Sequence, residues 1–141
     1  METLSVNYFA ILVAGLSAMV TGFLWYGPLF GKWWIELMGW PKEEVQKMQK
    51  EGSATMGKNY SITFVMALLT AFVIAHFAQA IGAEGVQGAF QLAFWLWFGF
   101  IITSMMNSVL WEGKSWKLYG LNISYELVKM FVMALILIFW P

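Results

Sequence analysis

Cysteine, arginine and aspartate are all missing from this chain of 141 residues. Without a thiol there is no disulfide frame, no thiolate nucleophile and no cysteine-based metal or iron-sulfur site. A lone histidine, His76, rules out a multi-histidine metal site within one chain. Charge is also scarce: 11% of residues carry one, against roughly 25% in soluble domains that must face water. The formal net charge of +0, with no cluster of bases, leaves no field to draw in nucleic acid, so no such partner is expected. Catalytic patterns are missing as well, with no G-x-S-x-G elbow, no H-E-x-x-H and no P-loop lysine motif. Gly113-Lys114-Ser115 lacks the glycine-rich loop that would cradle a phosphate, and the glycines between Gly82 and Gly88 read as turn formers. No catalytic residue, cofactor or metal ligand set is expected, and extramembrane sequence is too short for a sizeable soluble catalytic domain.

What the chain has instead is apolar bulk. It is 60% hydrophobic with a mean hydropathy of +0.67, a composition that belongs in a lipid bilayer. Four stretches, at about 4–26, 60–81, 87–110 and 118–140, are each long enough to cross a hydrocarbon core of roughly 30 Å at about 1.5 Å per residue. The predicted fold class is all-α, a polytopic membrane protein with four transmembrane helices in a single domain, 1–141. A cleaved signal peptide competes for the first stretch, but it would want a basic n-region and the only early charge is Glu2.

The first span runs into Trp25-Tyr26-Gly27-Pro28-Leu29-Phe30-Gly31-Lys32-Trp33-Trp34. Pro28 lacks an N–H and disfavours helix at Gly27, so the span ends or bends there. Trp25, Tyr26, Pro28, Trp33 and Trp34 read as an interfacial belt. Leu29, Phe30, Trp33, Trp34 and Leu37 fall on one side of a short helix lying in the membrane surface. Gly39 is placed to stop it and Pro41 to start another, a polar piece over 42–50, with a loop over 52–59. Residues 28–59 together form the predicted cytoplasmic loop.

Small residues recur every four positions in two spans: Ala10, Ala14, Ala18 and Gly22 in the first, Ala67, Ala71 and Ala75 in the second. Such stripes let helices approach closely, so these two spans are expected to pack small face to small face. Orientation follows from lysine. Lys32, Lys42, Lys47, Lys50 and Lys58 lie between spans one and two, and Lys114 and Lys117 between spans three and four. The other side has Glu2 and Glu84 and no lysine, which places both termini outside and both lysine loops in the cytoplasm.

Polar residues inside the spans are the functional candidates, because ionisable groups are expensive there. Glu126 and Lys129 share a helical face, with Asn122 one turn before Glu126. Counting inward from the loops at about 1.5 Å per residue places Asn107 and Asn122 roughly 6 Å deep, Thr103 and Glu126 roughly 12 Å, and Lys129 roughly 16 Å. Thr103 and Asn107 are therefore expected to oppose Asn122 and Glu126. His76 lies roughly 24 Å from the loop end of its own span, too far for direct contact with Glu126. One reading of this set is a proton relay or a path for an ion or solute. Another is a buried salt bridge with asparagines as interhelical hydrogen-bond glue, and a third is an interface between copies.

Asn7-Tyr8, Trp25-Tyr26-Gly27-Pro28 with Phe30-Gly31 and Trp33, Trp111-Glu112 with a basic Lys114, and Asn122 with Tyr125 together resemble a family of small bacterial inner-membrane proteins classed as a domain of unknown function. The likeness covers nearly the whole chain, and its most specific part is the tryptophan-tyrosine-x-proline-x-phenylalanine-glycine exit from the first span. It implies four spans and a bacterial inner membrane and adds no activity. This chain has Lys114-Ser115 where such proteins tend to have arginine-proline, and Glu126 and Lys129 fall outside the shared pattern. The function expected is a non-enzymatic, homo-oligomeric membrane protein offering a path for an ion or small solute. A structural or accessory subunit for a larger membrane-protein partner is the alternative, and a membrane enzyme or lipid- or quinone-binding protein the third.

Overall fold

The computed structural model describes residues 6–140, and of residues 48–56 the backbone alone. The predicted start of the first span at residue 4 lies outside the described residues. Five helices follow one another: α1 (Tyr8–Leu29), α2 (Gly31–Met38), α3 (Lys42–Ile81), α4 (Gly85–Leu110) and α5 (Trp116–Phe139). Among the described residues there is no strand. Four stretches are long and apolar enough to cross a membrane, namely α1, Gly57–Ile81 of α3, α4 and α5. The chain is an all-α, polytopic membrane protein.

Local chemistry sets the helix ends. The Asn7 side chain caps α1 by accepting from the N–H groups of Phe9 and Ala10, at 3.0 and 3.2 Å. Ser115 caps α5 in the same way, accepting from the N–H of Leu118 at 3.0 Å. α2 stops at Gly39, which adopts the left-handed conformation with φ 71° that a side chain would resist. Pro41 then precedes α3, whose first turn carries Glu43 and Glu44 at the positive end of the helix dipole.

Beyond that start the structure departs from expectation. In place of a polar helix and a loop over 52–59, α3 is one continuous helix of 40 residues. Isolated glycines such as Gly57 cost about 1 kcal/mol each relative to alanine, and no proline interrupts the segment. The long apolar span beyond it carries the helix through them.

Two helices are locally unwound. In α1 the wide turn Trp25–Leu29 contains Pro28, and Gly27 leaves helical geometry altogether at φ −111° and ψ −105°. The N–H of Phe30 donates five residues back, to the Trp25 carbonyl at 2.9 Å. A Cβ on Gly31 would sit 2.7 Å from the Tyr26 carbonyl oxygen, so glycine there is what lets α2 fold back so tightly. In α4 a second wide turn covers Trp97–Ile102.

α5 is the central helix, in contact with α1, α3 and α4. α1 also packs along α3, whereas α3 and α4 touch little even though a short turn through Gly82 joins them. An apolar groove of about 290 Å³ opens between them, walled by Leu69, Val73, Leu96 and Phe100 and floored by Met130. The core lies toward the terminal end of the bundle, where Ala10, Ala14, Ala71, Ala89, Ala93, Met133 and Ala134 are fully enclosed. Close approach of alanine-lined backbones maximises van der Waals contact there.

Candidate functional site

Of the small-residue stripes, Ala10, Ala14 and Ala18 are buried, as are Ala67, Ala71 and Ala75. Gly22 departs from its stripe: it is partly exposed, and a Cβ on it would lie 3.0 Å from the Tyr125 hydroxyl of α5. A close contact of α1 with α3 falls instead on Gly15, where a Cβ would be 2.7 Å from Leu68 Cδ2. Gly15 lies one position off the four-residue stripe, so a strict period could not single it out.

At the lysine-bearing end the polar residues meet an aromatic group. The Tyr26 hydroxyl donates to Asn122 Oδ1 at 2.7 Å, joining the wide turn of α1 to α5. Lys129 Nζ pairs with Glu126 Oε2 at 2.6 Å, with side chains only 16% and 20% exposed. The same ammonium stands 5.4 Å from the centre of the Tyr125 ring, within reach of a cation–π attraction. Tyr125 contacts Tyr26 edge-on at 5.1 Å and Trp25 at 6.3 Å, and Tyr26 leans on Trp34 at 5.2 Å. Trp34 in turn meets Trp40 at 5.3 Å. Of the residues read as an interfacial belt, Trp25, Tyr26 and Trp34 thus turn toward α5 or one another, whereas Pro28 and Trp33 stay exposed.

The direction of the ion pair follows from its helix. Tyr125 points at α1, its hydroxyl donating to the Ala18 carbonyl at 3.4 Å. Tyr119 points at α4, donating to the Ile102 carbonyl at 2.8 Å. At roughly 100° per residue, Glu126 and Lys129 project into the angle between those two helices. α3 does not close that angle at the loop end, since its residues 57–63 are exposed.

A cavity of about 500 Å³ opens beside this group, lined by Met38, Ser104, Asn107, Ser108, Glu112, Lys114 and Asn122 among others. Asn107 and Asn122 therefore line one space. Thr103 does not join them: it is exposed, and its hydroxyl donates to the Gly99 carbonyl of its own helix at 2.8 Å. α4 is interrupted between Thr103 and Asn107, at Met106, where the Val109 N–H donates only three residues back, to the Met106 carbonyl at 3.0 Å. His76 stays apart as well, its described partners being the Phe72 carbonyl, 2.7 Å from Nδ1, and the Phe72 ring at 4.2 Å, both on α3.

Three residues that hold this end together, Trp97, Tyr119 and Tyr125, are not among those that sequence reasoning singles out as an intramembrane polar site. Trp97 Nε1 donates to the Ile123 carbonyl at 2.7 Å, binding α4 to α5 beside Tyr119. A signal was present, since tryptophan and tyrosine inside a span need a partner for their polar atom.

Compared with known proteins, residues 9–138 match the model of a family described as "Protein of unknown function (DUF1761)". The chain belongs to that family. No curated protein and no solved structure matches it.

Proposed function

We propose that this member of a family of unknown function is a non-enzymatic protein of the bacterial inner membrane that gives an ion or small solute a polar way through the bilayer. The observation that carries the reading is the Glu126 to Lys129 pair, held at 2.6 Å within a span, with Glu126 one turn beyond Asn122, which lines the cavity of about 500 Å³, a vestibule at the lysine-bearing end. Ionisable groups at such depth are costly and mark paths or relays. Asn122, Glu126 and Lys129 form the selective site, with Asn107 at the entrance, and the whole chain acts as one membrane domain. The lysine-bearing end faces the cytoplasm and both termini lie outside. Beyond Lys129 the space between helices is filled by Met133, Ala134 and Ile74, so the polar half of one copy is completed in a homo-oligomer.

Purified protein in liposomes should move protons or a solute from a broad panel, and Glu126→Gln should reduce that flux at least tenfold while leaving the fold and its helix content intact. Absence of flux across the panel, or a Glu126→Gln variant that merely unfolds, overturns the path.

A specific feature supports the second reading, an accessory subunit for a larger membrane protein. α4 rests mainly on α5 and turns Trp95, Phe98 and Phe100 outward, at 66%, 52% and 66% exposure. Pull-down in mild detergent should then recover one foreign partner in fixed proportion; recovery of self-association alone counts against it.

A further inference from the structure

We infer that the aromatic group around Glu126 is a receptor for an organic ammonium ion, and that Lys129 is an occupant the chain supplies to itself. The inference rests on the proposed path and names the class of solute.

The lysine ammonium has one carboxylate oxygen at 2.6 Å and one phenol ring face at 5.4 Å. Ring faces carry negative quadrupole density, so a carboxylate beside aromatic rings is the combination that holds alkylated ammonium ions out of water. Tyr26 and Trp25 extend the wall around Tyr125, at 5.1 and 6.3 Å between ring centres. Trp25 Nε1 is, among the described residues, the one buried side-chain nitrogen or oxygen atom without a hydrogen-bond partner.

The supply of counter-charge is local and replaceable. Lys129 reaches Glu126 from three residues along the same helix, so no helix has to move for the pair to part. Its stem is flexible, and its head needs only another acceptor or the vestibule's water once displaced. An incoming ammonium would take the carboxylate and the Tyr125 face, and Lys129 would swing away. Glu126 and Lys129 do not line the vestibule; its wall reaches Asn122, one helical turn before Glu126, so an entering ammonium has to part the side chains between them. Selection follows from the same parts: a neutral molecule of equal shape gains the aromatic contact and loses the carboxylate, whereas an inorganic cation gains little from the rings relative to its hydration.

The test uses the full-length protein in detergent, with benzyltrimethylammonium as the probe and neopentylbenzene as its uncharged isostere. Binding is read by tryptophan fluorescence and isothermal titration, with circular dichroism as the fold control. The charged probe should bind at least tenfold more tightly than the isostere. Lys129→Met, which removes the internal competitor, should tighten binding of the charged probe about tenfold; Glu126→Gln should abolish the preference for charge. Should Lys129→Met fail to fold, Tyr125→Leu, which leaves the ion pair in place, should weaken the charged probe about fivefold and the isostere by less, because only the charge loses a cation–π attraction. Equal binding of probe and isostere, or affinity unmoved by Lys129→Met and by Tyr125→Leu, overturns the inference. The two proposals fail separately: charge-selective binding without flux defeats the path alone, and flux that the probe does not inhibit defeats the receptor alone.

Discussion

The two ends of the bundle are built from the same helices and obey different rules. Toward the termini, small side chains bring backbones together, and Ala10, Ala14, Ala71 and Ala134 lie among Met133 and Ile74, with no polar residue among the described residues buried beside them. Toward the lysine loops the helices are unwound in two places, at Trp25–Leu29 and Trp97–Ile102. There, long aromatic side chains hold them by hydrogen bonds to Asn122, Ile123 and Ile102. Contact by shape keeps polar groups to the rim, where Asn7, Gln79 and Glu84 line a cavity of about 160 Å³ beside Ala10 and Ala75. Contact by reach leaves a space that polar groups can line.

The contrast can be broken at either end, and the size of the effect should track the rule. Ala71→Leu inserts three carbons at a position with no exposure. It should cost about 3 kcal/mol or abolish folding, seen as loss of the cooperative melt in detergent. Lys129→Met alone leaves Glu126 without its partner and should cost about 2 kcal/mol, below the 3–5 typical of a fully buried pair because the group is partly exposed. The double variant Glu126→Gln with Lys129→Met should recover most of that loss, so a double-mutant cycle in which the double is as unstable as the single contradicts the account. Tyr26→Phe deletes one hydrogen bond between helices, and a loss of about 1 kcal/mol in a denaturant titration is the expected size for such a bond in a membrane protein. Thr103→Val touches only a bond within its own helix and should change the melt by less than about 0.5 kcal/mol.

Much of this is legible in the amino acids. Apolar length sets the four spans, Pro28 and Gly39 mark the bend and the stop, and the alanine stripes coincide with buried faces. What escapes is whatever depends on departure from regular geometry. A wheel of constant pitch places Thr103 on the face of Asn107, whereas the helix is interrupted between them at Met106. A glycine contact such as Gly15 against Leu68 depends on the crossing point of two helices, which no single helix encodes. Gly52 and Gly57 suggest a loop over 52–59, and the neighbouring span outweighs their cost. The polar atoms of Tyr119, Tyr125 and Trp97 demand partners, yet the identity of those partners, all backbone carbonyls, comes only from the fold.

α3, finally, is longer than any membrane requires. Forty residues extend for about 60 Å, against a hydrocarbon thickness of roughly 30 Å. A rod of that kind is a lever, with its fulcrum where Gly15 admits Leu68. The stretch from Leu68 back to Lys42 measures about 39 Å at the helical rise, so a tilt of about 5° about that point sweeps the free end through roughly 3 Å. The short arm on the other side of the fulcrum carries Ala71, Ile74 and Ala75, which wall the closed core. Motion at the far end is therefore geared down before it reaches the closed core.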